Sequence, residues 1–150
     1  MGRRLMPMLL IPLLTGCSVS VEVPEEGSVT EVKQRTLARL ESLVEVVEAG
    51  ETSGHKFNRN LGHFAGNLNR LRGTLRKTDV GTDEDLRRMD EAHYRIAAMA
   101  GGDPEEPAHL QAGEAPLIQP GDLASLLPQI REAIEALPDS DRRPPPKKAR

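Results

Sequence analysis

The chain has 150 residues, and its 20 lysine and arginine residues against 23 aspartate and glutamate residues give a formal net charge of −3 at pH 7. This length suits one small domain. The only aromatic residues are Phe57, Phe64 and Tyr94. Proteins that bind single-stranded nucleic acid stack bases on several aromatic side chains, so the composition argues against a nucleic-acid partner.

The first sixteen residues have the pattern of an export signal. Arg3 and Arg4 precede an apolar stretch, residues 5–14, which is only about half the length that spans a bilayer. A short apolar stretch behind a basic pair is typical of a secretory signal peptide, not of a transmembrane helix. We therefore predict a signal peptide over residues 1–16.

The segment ends in Leu14-Thr15-Gly16-Cys17. This order of leucine, small residue, glycine and cysteine resembles the lipobox of bacterial lipoproteins. The resemblance implies cleavage before Cys17, a diacylglyceryl thioether on its sulfur and acylation, for example with palmitate, of the new amino terminus. Several acyl chains anchor a protein stably where one does not. In lipoproteins retained at the inner membrane an aspartate follows the lipidated cysteine, so Ser18 at this position resembles lipoproteins that are sorted to the outer membrane. The alternative is an ordinary signal peptide with a chance cysteine.

The segments that flank the predicted domain have no helical pattern. Cys17 is the only cysteine, so an internal disulfide is excluded. Residues 17–27 alternate and end in proline and glycine, which predicts an extended tether. Residues 138–150 contain four prolines and five basic residues, which predicts a disordered or extended basic tail.

Four helices are predicted between these segments, and each has one apolar stripe at spacings of three and four residues. Their approximate bounds are residues 29–49, 57–77, 83–100 and 122–137. Ser28 with Glu31 predicts a capping box for the first helix. Thr82 or Asp83 can cap the third. The stripe of the first helix is Val29, Val32, Thr36, Leu40, Leu43 and Val47. That of the second is Phe57, Leu61, Phe64, Leu68, Leu71 and Leu75. The third has Leu86, Met89, His93, Ile96, Ala97 and Ala100. The fourth has Leu123, Leu126, Leu127, Ile130, Ala133, Ile134 and Leu137.

Helices with one apolar stripe can bury it only against one another, so the sequence predicts an all-α fold, a small bundle of four helices over residues 28–137. Pro128 falls opposite the stripe of the fourth helix, which we interpret as one kinked helix. The connection before it, residues 101–121, is long and rich in Pro, Gly and Glu. A three-helix core with a loose fourth helix is therefore the alternative.

The second helix has an unusual charge pattern, because residues 55–78 hold six basic residues and no acidic one. Projected at 100° per residue, one ridge contains Lys56, Arg59, His63, Arg70 and Lys77. An anionic partner, either lipid head groups or an acidic protein surface, is one explanation. The other is a hairpin with the first helix, whose acidic residues would neutralise the bases. The same helix carries Gly62, Gly66 and Gly73, which predict either close backbone approach or a weak helix.

His93 and Met89 lie one turn apart on the stripe of the third helix. This pair could ligate haem or a metal, although a core histidine bonded to a neighbour is the more usual explanation of a histidine at such a position. We find no arrangement of nucleophile and base, no metal-binding motif and no phosphate-binding loop. These patterns predict no cofactor and no enzymatic activity.

We therefore expect a lipid-anchored protein of the cell envelope, at the outer membrane and facing the periplasm, that acts as a binding or scaffolding module. A small haem- or metal-binding periplasmic protein is the alternative. A phage-type lysis lipoprotein is a third possibility, supported only by the proline-rich tail.

Overall fold

The computed structural model describes residues 26–99 and 120–147. It contains α1 (Val29–Glu48), α2 (His55–Thr78), α3 (Asp83–Met99) and α4 (Pro120–Glu135), and the described residues form no strand. The prediction of an all-α fold of four helices is therefore confirmed. The predicted signal peptide and tether up to residue 25, residues 100–119 and residues 148–150 lie outside the described residues. Within those residues, none of the four helices combines the length and apolarity that a bilayer crossing requires.

Helix α1 begins with the predicted capping box. The Ser28 hydroxyl accepts a hydrogen bond from the amide of Glu31, and the Glu31 carboxylate accepts one from the amide of Ser28. This arrangement satisfies two of the amides that the first turn of a helix leaves without an intrahelical acceptor. At the other end, Gly50 adopts a φ of +77°, and the amide of Glu51 donates to the carbonyl of Val46. Such a left-handed residue reverses the chain into α2.

Helices α1 and α2 form an antiparallel hairpin with an apolar interior. All six predicted stripe residues of α2 are at most 3 % exposed. The predicted stripe of α1 is buried from Val29 to Leu43, but its last buried member is Val46 and not Val47. Val46 is 4 % exposed, whereas Val47 is only half-buried. Thr36 is fully buried, and its hydroxyl lies 3.4 Å from the carbonyl oxygen of Asn67 in α2.

The described helices contact one another in cyclic order, α1 with α2, α2 with α3, α3 with α4, and α4 with α1. The core lies at the centre of this ring. Helix α3 contributes Met89 and Ile96, both fully buried, while Leu86 at its start is half-buried. Its cap is Thr82, whose hydroxyl accepts from the amide of Asp85 and whose amide donates to the Asp85 carboxylate.

Helix α4 is an integral part of the core, so the alternative of a loose fourth helix is wrong. Leu123, Leu127, Ile130 and Ile134 are at most 3 % exposed. The helix continues through Pro128, which is exposed as its position opposite the stripe predicts. A proline on the solvent side removes one helical hydrogen bond without disturbing the apolar face.

The segment after α4 has no regular secondary structure, as the prediction of a disordered or extended tail requires, but residues 140–142 contact the start of α1. The carbonyl oxygens of Ser140 and Arg142 accept hydrogen bonds of 3.1 Å from the amides of Thr30 and Val29, respectively. Pro144 is buried. The segment is ordered because its main chain supplies acceptors for the first amides of α1, a role that its composition does not reveal.

Candidate functional site

The predicted basic ridge lies on the solvent-facing side of α2. Its five members, which we call the α2 ridge, are all exposed: Lys56, Arg59, His63, Arg70 and Lys77. They occupy the helix face opposite the buried stripe, so the projection from sequence placed them correctly. The structure thus brings them together as one surface about 32 Å long, at 1.5 Å of rise per residue.

The two lysines at the ends of the α2 ridge have acidic partners. The Lys56 ammonium lies 3.2 Å from a carboxylate oxygen of Glu51, in the turn before α2. The Lys77 ammonium lies 3.1 Å from a carboxylate oxygen of Glu26, just before α1. All four side chains are substantially exposed, and such surface pairs are weak and screened by salt.

The middle of the α2 ridge is different. Within residues 26–99 and 120–147, no carboxylate forms an ion pair with Arg59, His63 or Arg70. Both guanidinium groups therefore keep their planar sets of donors available to an external anion. Guanidinium binds phosphate and carboxylate oxygens in a bidentate manner, which a lysine ammonium cannot do.

Acidic residues at the two ends of the first helical segment pair with Lys56 and Lys77, so the explanation by a charge-paired hairpin holds for the ends of the α2 ridge but not for its middle. Glu41 pairs with Arg131 of α4. Glu31 lies 3.1 Å from Arg143 of the C-terminal segment. Glu41 therefore lies on the side of α1 that faces α4, and Glu31 contacts the C-terminal segment.

The remaining bases of α2 belong to a different surface. Arg72 and Arg76 both contact the carboxylate of Asp90 on α3, and this triad bridges the two helices. The six basic residues of α2 therefore divide into a bridge to α3 and an exposed set on the ridge. The helical projection already set Arg72 and Arg76 apart from the ridge, but it could not show that they contact Asp90.

Two further arginines, which the sequence analysis did not single out, flank the α2 ridge from α1. Arg35 and Arg39 are exposed, and no ion pair joins either of them to another described residue. Thr36, which contacts Asn67, and Lys33, which contacts the end of α4, fix the orientation of α1. At 100° per residue, Arg39 and Arg35 lie about 60° and 100° from Thr36, on the side away from Lys33.

On α2, the corresponding reference is Asn67. His63, Arg70 and Arg59 lie about 40–80° from it, on the side away from Arg72 and the core. Both sets therefore border the same outer groove between α1 and α2. A helical projection of the first helix could have found Arg35 and Arg39, if the position of its neighbour had been known.

Two glycines of α2, Gly66 and Gly73, lie beside the ridge with open space outside them. A Cβ atom built on Gly66 or on Gly73 meets nothing within 4 Å. No other part of the described chain therefore makes use of the close approach that these glycines permit. Within the chain they weaken the helix without a packing benefit.

The haem or metal alternative concerned His93 and Met89, and both side chains are fully buried in the bundle core. His93 also lies at the base of a crevice of about 490 Å³ between α2 and α3, which is lined by Arg72, Arg76 and Tyr94 among others. Among the described residues, no group of three or more His, Cys, Asp or Glu side chains is arranged to hold a metal ion. The described chain thus adds no further ligand to this pair.

The predicted lipidation site, Cys17, lies outside the described residues. The first described residue, Glu26, contacts Lys77 at one end of the α2 ridge.

Comparisons with protein-family models, with curated proteins and with solved structures find no match to this chain.

Proposed function

We propose that this chain is a lipid-anchored lipoprotein of the bacterial cell envelope, sorted to the outer membrane, that binds an anionic partner through α2. The anchor rests on the resemblance of Leu14–Cys17 to a lipobox. The binding role rests on one observation, the exposure of Arg59, His63 and Arg70 without a described carboxylate partner in a chain of net charge −3.

The physical argument for binding is the separation of charge. An acidic domain that groups basic residues without ion-pair partners on one surface creates a positive potential there, which attracts anions and orients them at encounter. The basic residues of the α2 ridge lie on a helix whose six stripe side chains are buried in the core. The surface is thus already in place before a partner arrives, and little ordering entropy is lost on binding.

The anchor is tested by metabolic labelling with a palmitate analogue. The wild-type protein is expected to incorporate the label and to fractionate with membranes. Cys17→Ser is expected to lose both properties, because the thioether forms on the cysteine sulfur. Equal labelling of the two proteins would contradict the anchor.

The binding role is tested on immobilised heparin, a polyanion with no lipid. The full chain is expected to be retained and to elute with salt, because counterion release makes polyanion binding salt-dependent. Arg59→Glu/Arg70→Glu is expected to elute much earlier. The matched control is Arg88→Glu/Arg95→Glu, which makes the same charge change at exposed arginines of α3. If both variants shift equally, net charge and not the α2 ridge governs retention.

A further inference from the structure

We infer that the anionic partner is the phospholipid surface of the membrane that carries the anchor, and that the surface which meets it is built by both helices of the hairpin. This inference rests on the proposed function and specifies its partner. We call the surface the basic face, and its members are Arg35, Arg39, Arg59, His63 and Arg70.

The first argument is the arrangement of charge around the groove between α1 and α2. Thr36 lies against Asn67, so in the antiparallel hairpin Arg39 lies near the level of His63, and Arg35 lies between the levels of His63 and Arg70. The five side chains border one groove from its two sides. All five are exposed, and none is paired with a carboxylate of the described chain. Such an array can contact phosphate groups on both sides of the groove at once, whereas one row of basic side chains contacts phosphate groups along a single line.

The second argument is the shape of the surface. Gly66 and Gly73 lie beside the ridge, where an added Cβ would meet nothing within 4 Å. The outer side of α2 is therefore flat along this strip, with arginines at its border. A flat surface with long basic side chains at its edge suits a planar layer of head groups. A protein partner would instead require complementary relief.

The third argument is the position of the first described residue, Glu26. Glu26 lies 3.1 Å from Lys77, the last residue of the α2 ridge. Whatever conformation residues 18–25 adopt, covalent geometry limits the distance from Cys17 to Glu26 to roughly 30 Å. An anchored domain therefore holds the Lys77 end of the α2 ridge within that distance of its own bilayer. This proximity gives the membrane a high effective concentration relative to any soluble partner.

The acidic groups near the basic face do not oppose this contact. The nearest carboxylates at its two ends, Glu26 and Glu51, are engaged by Lys77 and Lys56. Glu31 is engaged by Arg143. The groove itself thus presents positive charge to the lipid.

The experiment is co-sedimentation of the full chain, carrying Cys17→Ser so that no acyl chain contributes, with vesicles of phosphatidylcholine alone or with added phosphatidylglycerol. The quantity compared is the ratio of the two partition coefficients. Residues 1–25 are the same in every variant, so their contribution to binding is common to all of them. We expect wild-type binding to favour the anionic vesicles by tenfold or more at low salt, and the preference to fall as salt is added.

Three variants with the same change in charge locate the surface. Arg59→Glu/Arg70→Glu and Arg35→Glu/Arg39→Glu are each expected to abolish the preference for anionic vesicles. Arg88→Glu/Arg95→Glu on α3 is expected to retain it. Circular dichroism of all three checks that the helices remain, so that a loss of binding is not a loss of fold.

Each other outcome overturns a stated part of the inference. If only the α2 variant loses binding, α1 is not part of the surface. If all three lose binding equally, net charge explains the result. If the wild type ignores anionic vesicles but is still retained on heparin, the lipid partner is wrong while the proposed function stands. If it ignores both, the proposed binding role fails as well.

Discussion

The ammonium group of Lys33 on α1 lies 2.7 Å from the backbone carbonyl oxygen of Leu137, just beyond the end of α4. The same nitrogen donates to the carbonyl of Glu135 at 3.2 Å and to the carboxylate of Asp139 at 3.0 Å. Helix α4 has no basic residue in its own last turn. Lys33 therefore supplies, from another helix, the positive charge that stabilises the carbonyl end of a helix.

We expect Lys33→Met to lower the free energy of unfolding by about 1–3 kcal/mol, because carbonyls bonded to a charged donor would lose it in a buried setting. Urea unfolding of the full chain measures the change. Arg35→Met on the same helix is the control, since Arg35 is exposed and has no described ion pair. Equal effects of the two substitutions would mean that the cap at the end of α4 contributes nothing.

The core prediction concerns Leu68, which is fully buried in the middle of α2. Leu68→Ala is expected to cost ~2–5 kcal/mol, the usual range for a cavity of this kind. Arg70→Ala, two residues further on the exposed face, is expected to change stability by no more than ~0.5 kcal/mol. Thermal and urea unfolding followed by helical circular dichroism measure both. A similar small effect at the two positions would show that this side of α2 is not the core.

The glycines of α2 should be replaceable with a gain in stability. Gly66→Ala and Gly73→Ala remove the backbone entropy of glycine in helical positions where the added methyl meets nothing within 4 Å. Each is expected to raise the free energy of unfolding by up to ~1 kcal/mol. Gly50→Ala is the opposite control, since a φ of +77° strains any residue with a Cβ. Destabilisation at Gly66 or Gly73 would reveal a contact over that strip.

The first turn of α3 should respond to acid. Hydrogen bonds from Arg87 and then Arg88 lower the pKa of the Glu84 carboxyl from 4.5 to about 2. Because the folded state lowers this pKa, its contribution to stability is present above pH 4.5 and is lost as the pH falls toward about 2. The stability difference between the wild type and Glu84→Gln should therefore shrink over that interval. Glu45→Gln removes an exposed carboxylate with no described ion pair and serves as the control. A Glu84 difference that stays constant through the whole interval would contradict the ion pairs.

The sequence predicted what depends on helical periodicity. In α2 the strict four-and-three spacing leaves one choice for the buried side, and all its members are buried. In α1 the next stripe position after Leu43 can be Val46 or Val47, since a spacing of three or four residues suits a helix equally. The structure selects Val46 because α2 lies on that side, and the direction of a neighbouring helix is not encoded in the local pattern.

As with the fold, the sequence predicted only part of the candidate site. Projection placed Arg59, His63 and Arg70 correctly on the solvent side of α2. It could not reveal that Arg72 and Arg76 turn to Asp90, or that Arg35 and Arg39 border the same groove, because those relations require the relative positions of three helices. Charge composition suggested neutralisation by the acidic residues of the first helical segment, and the structure shows it only at Lys56 and Lys77.

The closure of α1 by the C-terminal segment has a consequence for the order of events in folding. Thr30 and Ser140 exchange hydrogen bonds across 110 positions of sequence, so the contact between the start of α1 and the segment after α4 closes a loop that spans the bundle. Contacts of such separation form late, since the loop between them must close first. A chain that lacks residues 138–147 can form the α1–α2 hairpin, but the amides of Val29 and Thr30 then lose these acceptors.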